Sequence, residues 1–177
     1  MQSPSIPIFR TPLLQIGRFC CPVQHPHFHD SGPIVSGHLI VFPRTPVRIC
    51  HPTAPPIVAD PNVMLFYNLH QCYRRDRLSD QGDRCEWFAF APELLVAALQ
   101  RHEPRVAEHP DQPFPFTHAP CAPSVYLRQR QVIEHVLRSP QPDLLYVEES
   151  MLSTLELLLA HVYQPRPSSL RRISPAT

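Results

Sequence analysis

The sequence predicts an α+β protein in which an antiparallel β-sandwich or small barrel is followed by an antiparallel pair of helices. Short runs of β-branched and aromatic residues, separated by turn signals, occupy residues 38–90. After residue 91, apolar residues recur at helical spacing instead. With 177 residues, 43% of them apolar, the chain has the length and composition of one globular domain with a single core.

The first segment, residues 1–18, is predicted to form an N-terminal arm. The chain contains 24 prolines against four glycines, and proline has a fixed φ and no backbone N–H. Several of these prolines fall in the first segment, among scattered apolar side chains. We therefore expect no regular structure there, and we place strands and helices in the proline-free windows.

Four windows are typical of strands, because they are short, rich in β-branched and aromatic residues, and bounded by turn residues. Gly82, in "SDQGD", is a candidate for a left-handed turn position before the fourth strand. The windows are "HLIVF" (38–42), "VRICH" (47–51), "VMLFYNL" (63–69) and "RCEWFAF" (84–90).

Three windows are typical of helices. "PELLVAALQRH" (92–102) opens with proline and glutamate, which favour a first helical turn. The windows 124–139 and 143–164 are longer, and Asp143 is a good N-cap for the second. Only "PQP" separates these two, so they are predicted to fold back as an antiparallel hairpin.

The last helix carries more apolar surface than one partner helix can cover. Such a helix either packs on the barrel or meets another chain. We expect a symmetric homodimer in which the apolar surplus forms the interface. The interface residues are predicted to be Met151, Leu155, Leu158 and Leu159.

Several function classes receive no support from the sequence. The net charge is only +1, so no basic surplus indicates a nucleic-acid surface. Phosphate-binding glycine loops and a G-x-S-x-G nucleophile turn are absent from the sequence, so we assign no catalytic residue and expect no enzyme. No secretion signal and no apolar run of roughly twenty residues is present, and we expect a cytoplasmic protein with reduced cysteines and no membrane partner.

The stretch "CCPVQHPHFHD" (20–30) is rich in possible metal ligands. One interpretation is a structural zinc site, in which distant cysteines and one histidine complete a closed tetrahedron. The other is a solvated loop, with cysteines elsewhere acting as small buried apolar residues. The predicted ligands are Cys21, Cys85 and Cys121, with His25 or one of its neighbours His27 and His29.

A basic cluster, Arg74, Arg75 and Arg77, follows the third strand window and lies next to Asp76 and Asp80. It can be an anionic effector site or a contact surface for a further domain. The alternative is a solvated strand end with local ion pairs, which are common and weak.

Three strings, in this order and spacing, resemble the N-terminal effector-binding and dimerisation domain of AraC-type bacterial transcription regulators. They are "GHLIVFPRTPVRI" (37–49), "ADPNVMLFYNLHQCYRRDRLSDQGDRCEWFAFAPELL" (59–95) and "YLRQRQVIEHVL" (126–137). The resemblance extends from about residue 19 to about residue 165 and implies a cupin-like barrel, or jelly roll, followed by a helical hairpin.

The resemblance also implies a domain division and a function. The division is an arm at 1–18, a cupin-like barrel at 19–122 with a short helix near 92–102, a dimerising hairpin at 123–165, and a linker at 166–177 to a helix-turn-helix domain that these residues do not include. DNA binding would belong to that absent domain, and this part would sense a small-molecule effector or a metal.

Candidate effector-binding residues are the aromatic side chains of the strand windows. These side chains can equally fill the interior of a small barrel as plain core. A small metal-dependent cupin enzyme, or a metal-stabilised module without an effector, remains the alternative function. The candidates are Phe42, Phe66, Tyr67, Trp87 and Phe88.

Overall fold

Two antiparallel sheets and a pair of long helices form the structure, a computed structural model that describes residues 4–52 and 54–164. The strands are β1 Ser5–Arg10, β2 Leu14–Cys21, β3 Leu39–Pro43, β4 Val47–Cys50, β5 Ile57–Ala59, β6 Val63–Tyr67, β7 Arg74–Arg77, β8 Asp83–Phe90 and β9 His118–Pro120. The large sheet has the strand order β1-β2-β8-β3-β6-β9, and the small sheet has the order β5-β4-β7.

The helices follow β8, and β9 lies between the 3₁₀ helix and the two long helices. They are α1 Pro92–Gln100, a short 3₁₀ helix Pro104–Glu108, α2 Pro123–Arg138 and α3 Leu144–Tyr163. The Asp143 carboxylate accepts a hydrogen bond from the Tyr146 N–H at 3.1 Å, so Asp143 caps α3 as predicted. No helix in the described ranges is long and apolar enough to cross a bilayer.

The large sheet is buried on both faces, and the pleat divides its side chains between two cores. One face contacts the small sheet and encloses the barrel core, which includes Leu39, Val41, Tyr67 and Trp87. The other face is covered by the helices. This helix-side core includes Ile40, Phe42, Phe66, Phe88 and Phe90, together with residues of all three α-helices.

The N-terminal segment is regular, so the expectation of an irregular arm is wrong. β1 pairs with β2, and β2 pairs with β8 along its whole length, from Leu14 opposite Phe90 to Cys21 opposite Asp83. Proline is tolerated because β1 is an edge strand, where a missing N–H breaks no second ladder, and its register shifts between Pro7 and Phe9. The predicted linker, 166–177, lies outside the described residues.

The apolar surplus of α3 is used within the chain, which corrects the predicted dimer interface. Met151, Leu155 and Leu158 lie against Phe42 and Phe88 of the large sheet. Leu159 belongs to the same core, and each of the four helix side chains is at most 2% exposed. The outer face of the sheet needs an apolar cover, and α3 supplies it.

Candidate ligand cavity in the barrel

A cavity of about 260 Å³ lies between the two sheets, at the end of the barrel beside β1. Phe19 of β2, Val41 of β3, and Cys85 and Trp87 of β8 form its apolar wall. The loop between β2 and β3 covers it, with Val35 exposed to solvent. The other lining residues are Pro4, Ser5, His27, Ser31, Pro33, Ile34, Ser36, Leu39, Tyr67, Tyr73 and Arg75.

Trp87 is held in place by a close approach of β2. A Cβ atom at Gly17 would lie 2.0 Å from Cζ2 of the indole, so only glycine fits opposite this ring. The indole Nε1–H donates to Ser5 Oγ at 3.0 Å, which ties the first strand to the cavity wall. The ring is therefore fixed from both sides.

Two tyrosines give the cavity a polar side. The rings of Tyr67 and Tyr73 stack with their centroids 4.5 Å apart. Burial raises the pKa of both phenols, so both hydroxyls stay protonated and can donate. No hydrogen bond joins either hydroxyl to another residue in the described ranges. They are the polar groups that a bound molecule can use.

Arg75 is the most buried charge of the barrel, with 2% of the residue exposed. Its Nη1 donates to Asp83 Oδ2 at 2.9 Å, and Nε and Nη2 donate to the backbone carbonyls of Phe28 and His27 at 2.8 and 2.9 Å. Its guanidinium also lies 4.7 Å from the centroid of the Phe19 ring. The positive charge is thus compensated by Asp83, and the wall is neutral overall.

The basic cluster of β7 does not act as a unit. Arg74 is exposed, and Arg77 forms an exposed ion pair with Asp80 at 3.3 Å, as the solvated-strand interpretation predicts. Arg75 points the other way, because neighbouring strand residues face opposite sides. This inward direction of Arg75 was not predicted from the sequence. The available indication was that Tyr73 and Arg75 are two residues apart and so face the same side of the strand.

The predicted effector residues separate into two groups. Tyr67 and Trp87 line the cavity. Phe42, Phe66 and Phe88 do not, since they face the helices and fill the other core. Their assignment to the barrel interior is therefore wrong. The reason is that successive strand residues face opposite sides of the sheet, and these three face the helices.

The predicted zinc ligands do not converge. Cys21 and Cys85 belong to the barrel core, while Cys121 packs against the helix-side core. Across residues 4–52 and 54–164, no three or more His, Cys, Asp or Glu side chains are grouped so that they could hold a metal ion. The zinc prediction has no support from the structure.

The histidine-rich stretch is a loop fastened by its backbone. Phe28 is buried, and the carbonyls of His27 and Phe28 accept from Arg75. The Arg75 N–H donates to the carbonyl of His29, whose Nδ1 lies 3.1 Å from the carbonyl of Arg75. His25 Nδ1 accepts from the backbone N–H of His27. The loop interpretation therefore accounts for this stretch.

Comparisons with known proteins identify the fold. Neither a protein-family model nor the sequence of a curated protein matches this chain. Among solved structures, an apo variant of ToxT from Vibrio cholerae has a TM-score of 0.61 and 8% identity, over 86% of this chain and 56% of that one. The AraC-like transcriptional activator CuxR has a TM-score of 0.56 and 13% identity, over 93% of this chain and 57% of that one.

A second ToxT structure, of the wild-type protein with bound unsaturated fatty acid, has a TM-score of 0.51 and 9% identity, over 87% of this chain and 56% of that one. The resemblance to AraC-type regulators is thus confirmed at the level of the fold. This chain spans a little over half the length of the regulators that it matches.

Proposed function

We propose that this chain is the sensory and dimerising part of a transcription regulator, and that its barrel cavity binds a small, electrically neutral effector. DNA contacts would be made by a separate helix-turn-helix domain. The cavity between the sheets carries this proposal. The shared fold with AraC-like regulators, one of which is described with a fatty acid bound, supports the binding of a small molecule. The neutral charge of the effector rests on the cavity wall alone.

The chemistry of the wall selects the class of effector. Arg75 and Asp83 already neutralise each other, so an added charge in the cavity would be desolvated without a new partner. The Tyr67 and Tyr73 hydroxyls offer donors, and the remaining wall is mostly apolar or aromatic. A neutral molecule with an apolar body and one oxygen acceptor satisfies these groups.

The size of the cavity limits the effector further. Small-molecule sites commonly enclose about 300–1,000 Å³. At about 260 Å³, this cavity lies just below that range and fits a compact molecule, such as a substituted aromatic ring.

A matched pair of ligands tests the proposal. A panel of neutral aromatic alcohols that includes phenylethanol, together with the anion phenylacetate, is compared by thermal shift. We expect the alcohols to bind in the barrel cavity and raise the melting temperature. Phenylacetate should not bind in this cavity. Tyr73→Phe should weaken the shift, and Val41→Phe, which fills the cavity, should abolish it. Stabilisation that survives in Val41→Phe would place the ligand elsewhere.

Dimerisation is the second part of the proposal, and it uses a different surface from the predicted one. Exposed leucines and a tyrosine lie around the turn between α2 and α3 and along α2. Leu145 is 63% exposed, and Tyr146 contacts His135 with ring centroids 4.5 Å apart. A second copy of this chain, related by a two-fold axis, could cover them. They are Leu127, Leu144, Leu145 and Tyr146.

Among the residues that the structure describes, no cluster of ligand side chains favours the alternative of a metal-dependent cupin enzyme. Such enzymes need several ligand side chains that converge on one open position. Solved structures that share this fold with a TM-score above 0.5 include the transcription regulators ToxT and CuxR. One candidate function is therefore proposed.

A further inference from the structure

A second depression, which we call the arginine cleft, lies on the opposite face of the large sheet, between β1, β2 and β8 and the helix α2. Its volume is about 500 Å³. It shares only Pro4, Phe19 and Cys85 with the barrel cavity. The rest of its lining is Ile6, Ile8, Arg18, Cys20, Arg44, Thr45, Arg84, Glu86, Arg130, Glu134 and Leu137.

The strand register explains how charge and apolar surface meet here. Ile6 pairs with Arg18, Arg18 pairs with Glu86, and Glu86 pairs with Phe42, so these four side chains form one row across the sheet. Farther along β8, this same face is apolar and covered by helices. At Glu86 the cover is incomplete, and the face becomes charged.

Glu86 is a buried carboxylate with one unused oxygen. The residue is 4% exposed, and its Oε1 accepts from Arg130 Nη1 at 3.0 Å. Its Oε2 has no hydrogen-bond donor among the described residues, and Arg44 Nη1 lies 3.7 Å away. Burial raises the pKa of Glu86, while Arg44, Arg130 and Arg18 oppose the shift. A buried oxygen without a donor is unfavourable unless a further group binds it.

Positive charge exceeds negative charge in the cleft. Four arginines line it against two glutamates. Arg130 is bound to both glutamates, since it also contacts Glu134. Within the described ranges, no carboxylate lies within ion-pair distance of Arg18 or Arg84. An anion placed beside Arg18 and Arg84 would therefore gain charge-assisted hydrogen bonds without displacing an existing pair. Arg44 is held only by its long contact with Glu86 and can add a third.

Besides the free Glu86 oxygen and the excess of positive charge, the arginine cleft has an apolar rim. Ile6 is 55% exposed, Leu137 is 45% exposed, and Ile8 of β1 is half-buried. All three line the cleft. A ligand with an apolar side chain would remove this surface from water.

We propose that the arginine cleft binds a small acid that carries a hydrogen-bond donor next to its carboxylate and an apolar side chain, as α-hydroxy and α-amino acids do. The carboxylate lies against Arg18, Arg44 and Arg84. The adjacent hydroxyl or ammonium donates to Glu86 Oε2. The apolar side chain covers Ile6 and Leu137, so the ligand touches both the sheet and α2.

Calorimetry on the full chain with three acids of one carbon skeleton tests this site. The acids are the free amino acid L-leucine, its α-hydroxy analogue and the unsubstituted acid. We expect L-leucine or the hydroxy acid, or both, to bind about tenfold more tightly than the unsubstituted acid. The comparison between the first two distinguishes an ammonium from a hydroxyl as the donor.

Variants locate the site. Arg44→Gln should weaken binding about tenfold, because it removes one charge-assisted hydrogen bond to the carboxylate. Arg44 is partly exposed, so it can be replaced without loss of the fold. Arg48→Gln, on the exposed side of β4, is the matched control and should bind as the unchanged protein does. Glu86→Gln should remove the preference for an α-substituent. A melting curve of each variant checks that it is folded.

Four outcomes would overturn the proposal. The first is no binding of any of the acids at millimolar concentration. The second is equal affinity for all three acids, and the third is equal affinity in Arg44→Gln and Arg48→Gln. The fourth is loss of binding in a folded Val41→Phe protein, since that would place the acid in the barrel cavity. The site is independent of the barrel effector, so either proposal can fail alone.

Discussion

The guanidinium of Arg75 and the carboxylate of Asp83 are joined by a 2.9 Å hydrogen bond inside the barrel, where both side chains are almost fully buried. Arg75→Met should therefore lower the free energy of unfolding by about 3–5 kcal/mol, because Asp83 is left as an uncompensated buried charge. Urea denaturation measures the difference.

Arg77→Met is the control from the same strand. Its ion pair with Asp80 is exposed, so the change should be within about 1 kcal/mol. Equal effects of the two substitutions would show that Arg75 and Asp83 do not form a buried pair in solution.

Gly17→Ala should displace Trp87. The new methyl group would lie 2.0 Å from the indole, so the ring or β2 must move, at a typical overpacking penalty of about 1–3 kcal/mol. Because Trp87 is the only tryptophan and is 3% exposed, its emission should shift to longer wavelength. Gly32→Ala strains the backbone, since Gly32 has φ of +62°, but its Cβ would meet no atom within 4 Å, so the emission should stay unchanged.

Much of the architecture was predictable, because propensity and capping are local. The hairpin was predicted at 124–139 and 143–164 and is observed at Pro123–Arg138 and Leu144–Tyr163. Gly82 has φ of +72°, as its turn position implies. β2 was missed, since its partner β8 lies far along the chain and no local signal reports the pairing.

The site was only half predictable for a related reason. Both faces of the large sheet are buried, so β3, β6 and the second half of β8 are continuous apolar runs without the alternation that marks an inner face. Sequence alone could not tell that Trp87 faces the cavity while Phe88 faces the helices. The same ambiguity hid the inward direction of Arg75.

Acid should destabilise the fold through two buried histidines. His38 Nδ1 accepts from the Leu69 N–H, and His51 Nδ1 lies 3.1 Å from the side-chain amide of Gln71. Burial lowers the pKa of both below the ordinary value of 6.5. A lowered folded-state pKa means that the unfolded chain takes up the proton first. The stability that these histidines contribute is therefore fully present above pH 6.5, and it is lost as the pH falls below 6.5.

Urea titrations at one pH above 6.5 and two below it measure this loss. His38→Gln removes one titrating group and should make the decline shallower. His109→Gln, at an exposed position, should leave the decline as it is. A decline that is the same in all three proteins would mean that His38 does not contribute.

The hairpin should respond differently at its two surfaces. Leu145→Glu puts a charge on the exposed surface and should shift a dimer to monomer in sedimentation equilibrium, with little change in monomer stability. Leu155→Ala should instead lower the free energy of unfolding by about 2–5 kcal/mol, because Leu155 is core. A Leu145→Glu protein that sediments as the unchanged one does would exclude this dimer surface.

Fluorescence of Trp87 during titration with the neutral aromatic alcohols tests the central proposal most directly, since the only tryptophan of the chain lines the barrel cavity. We predict a saturable change in emission in the unchanged protein, a weaker affinity in Tyr73→Phe, and no saturable change in Val41→Phe. A saturable change of equal size and affinity in Val41→Phe, or no response to any alcohol of the panel, would contradict a ligand-binding barrel of this chemistry.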